Sequence, residues 1–118
     1  MNRSFFHLSA AATVATLGLI STAKAALAGE DLIFTLSNGT TYTVTEFYAS
    51  PSGIGNWEND ILASQDLSPR SNMSININDG RDVCSYDLLT VFSDGDVIEE
   101  YGVDLCNLAG GSYELSEG

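Results

Sequence analysis

Three Asx-Gly dipeptides, Asn38-Gly39, Asp79-Gly80 and Asp94-Gly95, cut this chain into runs too short for long helices and rich in β-branched and aromatic residues. Asn-Gly and Asp-Gly supply the positive backbone angles that tight hairpin turns require, so each is a point where the chain turns back on itself. Between them lie five strand-like segments. Asp31–Leu36 and Thr41–Ala49 flank Ser37-Asn38-Gly39-Thr40 and are expected to form a hairpin. Val44 and Phe47, three apart, break the second segment's alternation and call for a bulge or burial on both faces. From Ser71 to Asp79, Met73, Ile75 and Ile77 alternate with Ser74, Asn76 and Asn78, the pattern of a half-buried strand. Asp82–Phe92 would place Cys84, Tyr86, Leu88 and Phe92 on one face. Val97–Cys106 would return antiparallel, with Val97, Tyr101, Val103 and Leu105 toward the core. The tail ends in Ser-Tyr-Glu-Leu, a short edge strand. The expectation is an all-β domain: a small antiparallel β-sandwich or partly open barrel of five or six strands. One short helical turn is expected near Trp57–Leu62, where Trp57, Ile61 and Leu62 have helical spacing.

The N-terminus follows a different logic. Met1-Asn2-Arg3 is positive, Leu8–Ile20 is uncharged and rich in Ala, Leu and Val, and two A-x-A sites follow at Ala23-Lys24-Ala25 and Ala26-Leu27-Ala28. A charged start, a short apolar run and small residues at a cleavage position make a secretory signal peptide. The run is too short to span a bilayer. Residues 1–28 are therefore expected to be removed, leaving 29–118 as a single acidic β domain, secreted or periplasmic. No Arg-Arg pair precedes the run and no Cys follows it, so the general secretory route is favoured over a twin-arginine route or a lipid anchor.

Removing the leader takes Arg3, Lys24 and the sole histidine, His7. Two arginines then face sixteen carboxylates, a formal charge of 2 − 16 = −14 against −12 for the whole chain. Such a surface repels phosphate backbones and anionic headgroups, which excludes nucleic acid and membrane as partners of the processed chain. The plainest role for the charge is solubility, as a monomer.

A domain of about ninety residues buries only some 60–65% of the surface its unfolded chain exposes, so a covalent staple matters. Cys84 and Cys106 are the only cysteines and are read as a disulfide. Their midpoint is residue 95, so they lie nearly opposite in the last hairpin. A two-residue Asp94-Gly95 turn would pair Cys84 with Leu105 and turn Cys106 to the other face. The bridge thus demands an irregularity, an extra loop residue or a bulge near Glu99-Glu100.

The processed chain has no imidazole and no amine side chain, which removes Ser-His-Asp, Cys-His and Schiff-base chemistry. No P-loop, dinucleotide fingerprint or H-E-x-x-H is present. Carboxylate chemistry survives as the sole enzymatic option, a two-acid hydrolase, and the expectation is that the protein is not an enzyme. A second option is a calcium-binding module. Calcium takes oxygens from Asp- and Asn-rich loops, and two clusters qualify: Asn56, Glu58, Asn59 and Asp60, and Asp79 with Asp82. Neither fits an EF-hand. Trp57 reads either as a plug over one end of the core or as a carbohydrate-stacking platform. The first choice is a non-enzymatic exported module with a binding or structural role and a protein or carbohydrate partner.

Tyr48-x-Ser50-Pro51-Ser52, Trp57, Asp60-x-Leu62, Asp79-Gly80, Cys84-x-Tyr86-Asp87-Leu88, Phe92-x-Asp94-Gly95 and Cys106 occur in this order. The chain resembles an uncharacterised group of small exported bacterial β-domain proteins with this pattern, over about Phe34 to Cys106. The resemblance implies a shared fold and a bacterial source, and it supplies no activity.

Overall fold

The computed structural model describes residues 8–13 and 30–117. The Ala23–Ala28 cleavage region lies outside them. Seven strands, β1 (Leu8–Thr13), β2 (Leu32–Asn38), β3 (Val44–Pro51), β4 (Ser71–Ile77), β5 (Ser85–Phe92), β6 (Val97–Asp104) and β7 (Ser112–Glu117), and one short helix, α1 (Leu105–Leu108), make two sheets. One runs β1-β7-β2-β4 and the other β3-β5-β6; the two do not close into a barrel. All pairings are antiparallel except β2 with β7.

The hairpin expected around Asn38-Gly39 does not form. β2 pairs with β4 and β7, and β3 pairs with β5 in the opposite sheet, so the dipeptide is a corner between sheets. The cause is in the side chain of Asn38, which is buried. Its Nδ2 donates to the carbonyls of Tyr42 (2.7 Å), Ser68 (3.2 Å) and Leu67 (3.3 Å), while its Oδ1 accepts from the Thr40 amide and hydroxyl. These bonds hold the chain across the corner and leave no ladder for a tight turn. Gly39 is needed for a close approach: its amide donates to the Leu115 carbonyl at 2.8 Å, and a Cβ there would sit 2.8 Å from the same oxygen.

The core lies between the sheets. Leu32, Phe34 and Leu36 of β2, Ile75 and Ile77 of β4, and Tyr113 and Leu115 of β7 face Val44 and Phe47 of β3, Tyr86, Leu88 and Phe92 of β5, and Ile98 and Val103 of β6. Phe47 joins the layers, its ring centroid 6.3 Å from Phe34 and 6.2 Å from Tyr113. The bulge expected between Val44 and Phe47 is present. Val44 pairs with Phe92 and Glu46 with Val91, so Thr45 is the extra residue and both apolar neighbours turn inward.

The β5–β6 hairpin carries the irregularity that the cysteines demand, but divides it in two. Phe92 N donates to Asp96 O and Gly95 N to Phe92 O, closing a three-residue loop with Gly95 at φ +93°. Further on, Tyr86 opposes Val103 and Leu88 opposes Glu100, so one residue of Tyr101-Gly102 is extra. The longer loop changes the parity of β6. Ile98 is buried, whereas Val97 and Tyr101, expected inside, are exposed. Leu105 still stands opposite Cys84, its amide donating to the Cys84 carbonyl at 2.9 Å. What brings Cys106 round is α1, where successive side chains turn by about 100° rather than 180°. Asp104 caps it by accepting from Asn107 N at 3.1 Å, and Gly110 follows at φ +84°. The Cys84–Cys106 bridge closes with Cα atoms 5.2 Å apart.

The helical turn expected at Trp57–Leu62 is absent. Asp60 Oδ1 accepts from the amides of Phe47 (2.9 Å) and Leu62 (3.0 Å), and Ile61 N donates to Phe47 O. Those bonds tie the loop to β3, and positive φ at Glu58, Ala63 and Ser64 rules out helical continuation.

Candidate functional site

The β3–β4 loop contributes to two recesses, Glu58, Asn59 and Ile61 to the first and Gly55, Asn56 and Trp57 to the second. The first, about 320 Å³, is lined among others by Glu58, Asn59, Asn78, Asp79 and Arg81. Here the structure unites parts of both clusters singled out as calcium ligands, and it places a guanidinium between them. Arg81 Nη1 and Nη2 donate to Glu58 Oε1 and Oε2 at 2.8 and 2.7 Å, and Asp79 Oδ2 lies 3.8 Å from Nη1. Asp79 also accepts from the Tyr86 hydroxyl at 2.7 Å and caps the Arg81 amide at 3.0 Å.

The bidentate Arg81 contact holds the Glu58 carboxyl below the usual carboxylate range. The pairing is therefore present at neutral pH and lost as pH falls through that lowered value. Asn56 Oδ1 is taken by the Glu58 amide and Asp60 Oδ1 by two backbone amides, so these oxygens shape the loop. Asp82 lies on the exposed surface. Among the described residues, the group of cysteine, histidine or acidic ligand atoms within 4.8 Å of one another is Cys84, Asp104 and Cys106. Its sulfurs are joined in the disulfide, and a disulfide lacks the thiolate that a metal binds.

The second recess, about 180 Å³, is lined by Ser50, Gly55, Asn56, Trp57, Asp87 and Tyr101. Its aromatic rim follows from local irregularities, while Ser50 and Asp87 are partners in the regular β3–β5 ladder. Gly55, at φ +81°, turns the loop back so that Trp57 stands over the sheet; Trp57 is half-buried and outside the core cluster, so it is no core plug. The parity set by the three-residue 93–95 loop directs Tyr101 outward, leaving it 63% exposed. The two rings lie 6.3 Å apart at 31°. Asp87 Oδ1 accepts from the Gly102 amide at 3.0 Å and from Ser52 Oγ at 2.8 Å, which fixes the bulge from below. Tyr101 donates its hydroxyl to Glu99 at 3.0 Å, a bond that raises the phenol's pKa.

Chemically, this is a slot with two aromatic faces on its rim, one carboxylate and one amide side chain in its walls, and no cation. Aromatic faces take the C–H face of a flat, uncharged ring, and the polar groups take hydroxyls. Tyr101 and Asp87 were not identifiable as site residues from the sequence. Tyr101 reads as a core residue by simple alternation, and Asp87 carries no signal beyond its place in Cys84-x-Tyr86-Asp87-Leu88.

The fold and its recesses define a small β-sandwich with a single disulfide. No protein-family model matches the chain, and neither a curated protein nor a solved structure matches it. No helix among the described residues is long and apolar enough to cross a membrane.

Proposed function

We propose that the chain is an exported, non-catalytic binding module that takes a neutral saccharide in the Trp57–Tyr101 recess. The observation that carries this reading is the aromatic pair of half-buried Trp57 and exposed Tyr101, 6.3 Å apart and set beside Asp87 and Asn56. Export is supported by the leader pattern of residues 1–28 and by the Cys84–Cys106 bridge, which belongs to an oxidising compartment. A binding role is favoured over hydrolysis because Asp87 is the one carboxylate lining the recess, whereas glycoside hydrolysis needs an acid and a second carboxylate about 5–10 Å apart. An anionic sugar would meet no positive partner in this lining.

Trp57, the sole tryptophan, is also the reporter. Titrating the processed protein with neutral oligosaccharides is expected to shift its fluorescence saturably. Trp57→Phe should weaken binding, and Tyr101→Ala should lower affinity roughly two- to tenfold while leaving the melting temperature nearly unchanged, since an aromatic contact is worth about 0.5–1.5 kcal/mol. Absence of a saturable change across a panel of neutral glycans defeats the saccharide assignment. Calcium competes for carboxylates that Arg81 already holds, so 5 mM-scale calcium against chelator is expected to leave the melting midpoint in place. A raised midpoint would instead support the calcium module built on the 56–60 loop.

A further inference from the structure

We propose that the β7 edge of the processed protein accepts an extended, uncharged segment of another protein as an added antiparallel strand. This rests on the reading that residues 1–28 are removed. The strand beside β7 in the full chain is β1, paired from Leu8 with Glu117 to Thr13 with Ser112, and all six of its residues lie within that leader. Processing therefore vacates a strand position that the fold has already shaped.

The backbone shows which groups are left over. On its other side β7 is bonded to β2, with Thr35 N donating to Gly111 O at 3.0 Å and Gly39 N to Leu115 O at 2.8 Å. Along a strand the N–H and C=O of one residue point the same way and alternate from residue to residue. Gly111, Tyr113 and Leu115 thus face β2, and Ser112, Glu114 and Ser116 face β1. Loss of β1 removes the strand that the backbone groups of those three positions face on that side, immediately beside the fully buried Tyr113 and Leu115. An open edge of this kind is a template for strand addition.

The segment in place defines the chemistry of its replacement. Ala10 stands opposite Leu115 and Ala12 opposite Tyr113 in the register, and none of the six residues is charged. A second copy's β7 is a poor occupant. It would set Glu114 and Glu117 beside their counterparts, between two chains of strongly negative charge.

The test uses the protein recovered after export, its N-terminus established by intact mass, and amide exchange resolved by NMR. The amides of Ser112, Glu114 and Ser116 are expected to exchange about tenfold or more faster than those of Tyr113 and Leu115. A variant in which Glu117 runs through an Asn-Gly turn into a copy of residues 8–13 supplies the strand intramolecularly and should slow the three amides by the same factor. Ala11 lies opposite Glu114, so Ala11→Pro in that copy, which removes the central donor, should abolish the slowing. Three slow amides in the processed protein alone, an appended strand that protects none of them, or a dimer in sedimentation would overturn the proposal. A mass that retains Met1 overturns it differently, by refuting leader removal while β1 keeps its seat.

Discussion

Asn38 and Thr90 mark opposite ways of burying a polar side chain. Asn38 is buried with both ends of its amide bonded, tying β2 to the segments that lead into β3 and β4. Removing it leaves the buried Thr40 amide without its acceptor and takes a donor from three backbone carbonyls, and each unsatisfied buried group costs about 1–3 kcal/mol. Asn38→Ala is therefore expected to destabilise by at least about 2 kcal/mol in a urea titration, the larger share coming from the corner it leaves unbraced. Thr90 is fully buried on β5, and its hydroxyl has no hydrogen-bond partner. Thr90→Val keeps the branched shape that a strand favours and removes the unsatisfied group, so it should stabilise by about 1 kcal/mol, read as a higher urea midpoint at unchanged slope.

The last hairpin and α1 act as one element. The three-residue loop, the Tyr101-Gly102 bulge and the first turn of α1 each alter the facing of side chains, and their combined effect is to bring Cys106 back to Cys84 while sending Tyr101 outward. The irregularities of one hairpin thus serve both the disulfide and the candidate binding rim. Closing a separation of 22 residues restricts the unfolded chain, and the chain-entropy model assigns this about 3 kcal/mol. Cys84→Ala/Cys106→Ala is expected to lose about that much stability in denaturant titration. The bulge is held separately by Asp87 beneath Gly102, so Tyr101 should remain in place and the aromatic recess should survive in the folded fraction.

At the scale of the whole molecule, three tyrosines hold acids, and one of them does so across the sandwich. Tyr113 of β7 donates to Glu100 of β6 at 2.9 Å, Tyr86 to Asp79, and Tyr48 to Glu46. Burial first, and Glu100 second, push the Tyr113 phenol up; Tyr86 is raised by burial and then by its bond to Asp79. Tyr48 is pushed up to about 12, chiefly by its bond to Glu46. A folded pKa above the unfolded value near 10 stabilises the fold fully below that pH and ceases to do so as pH climbs through the folded value. Stability is therefore expected to be flat up to about pH 10 and to fall between about pH 10 and 12, with Tyr113→Phe flattening the slope. Thermal melts taken across that range check it.

The leader pattern, the acid excess, the disulfide and the all-β character follow from the sequence alone, because each depends on residue type and local order: a charged start before an apolar run, a count of carboxylates, two cysteines, and short β-branched runs between turn dipeptides. Alternation located β4 and the inner face of β5, and the three-residue gap between Val44 and Phe47 located the β3 bulge. Tertiary structure alone decided that Asn38-Gly39 is a corner, since an Asn side chain that closes a hairpin turn in one context spans two sheets when distant carbonyls come within its reach. It also decided the candidate recess. Whether Tyr101 points in or out depends on the extra residue of the 93–95 loop, and Arg81 reaches Glu58, 23 positions away, because the 56–60 and 78–82 loops fold against each other. Side-chain partners at such separations are set by packing, which local sequence does not encode.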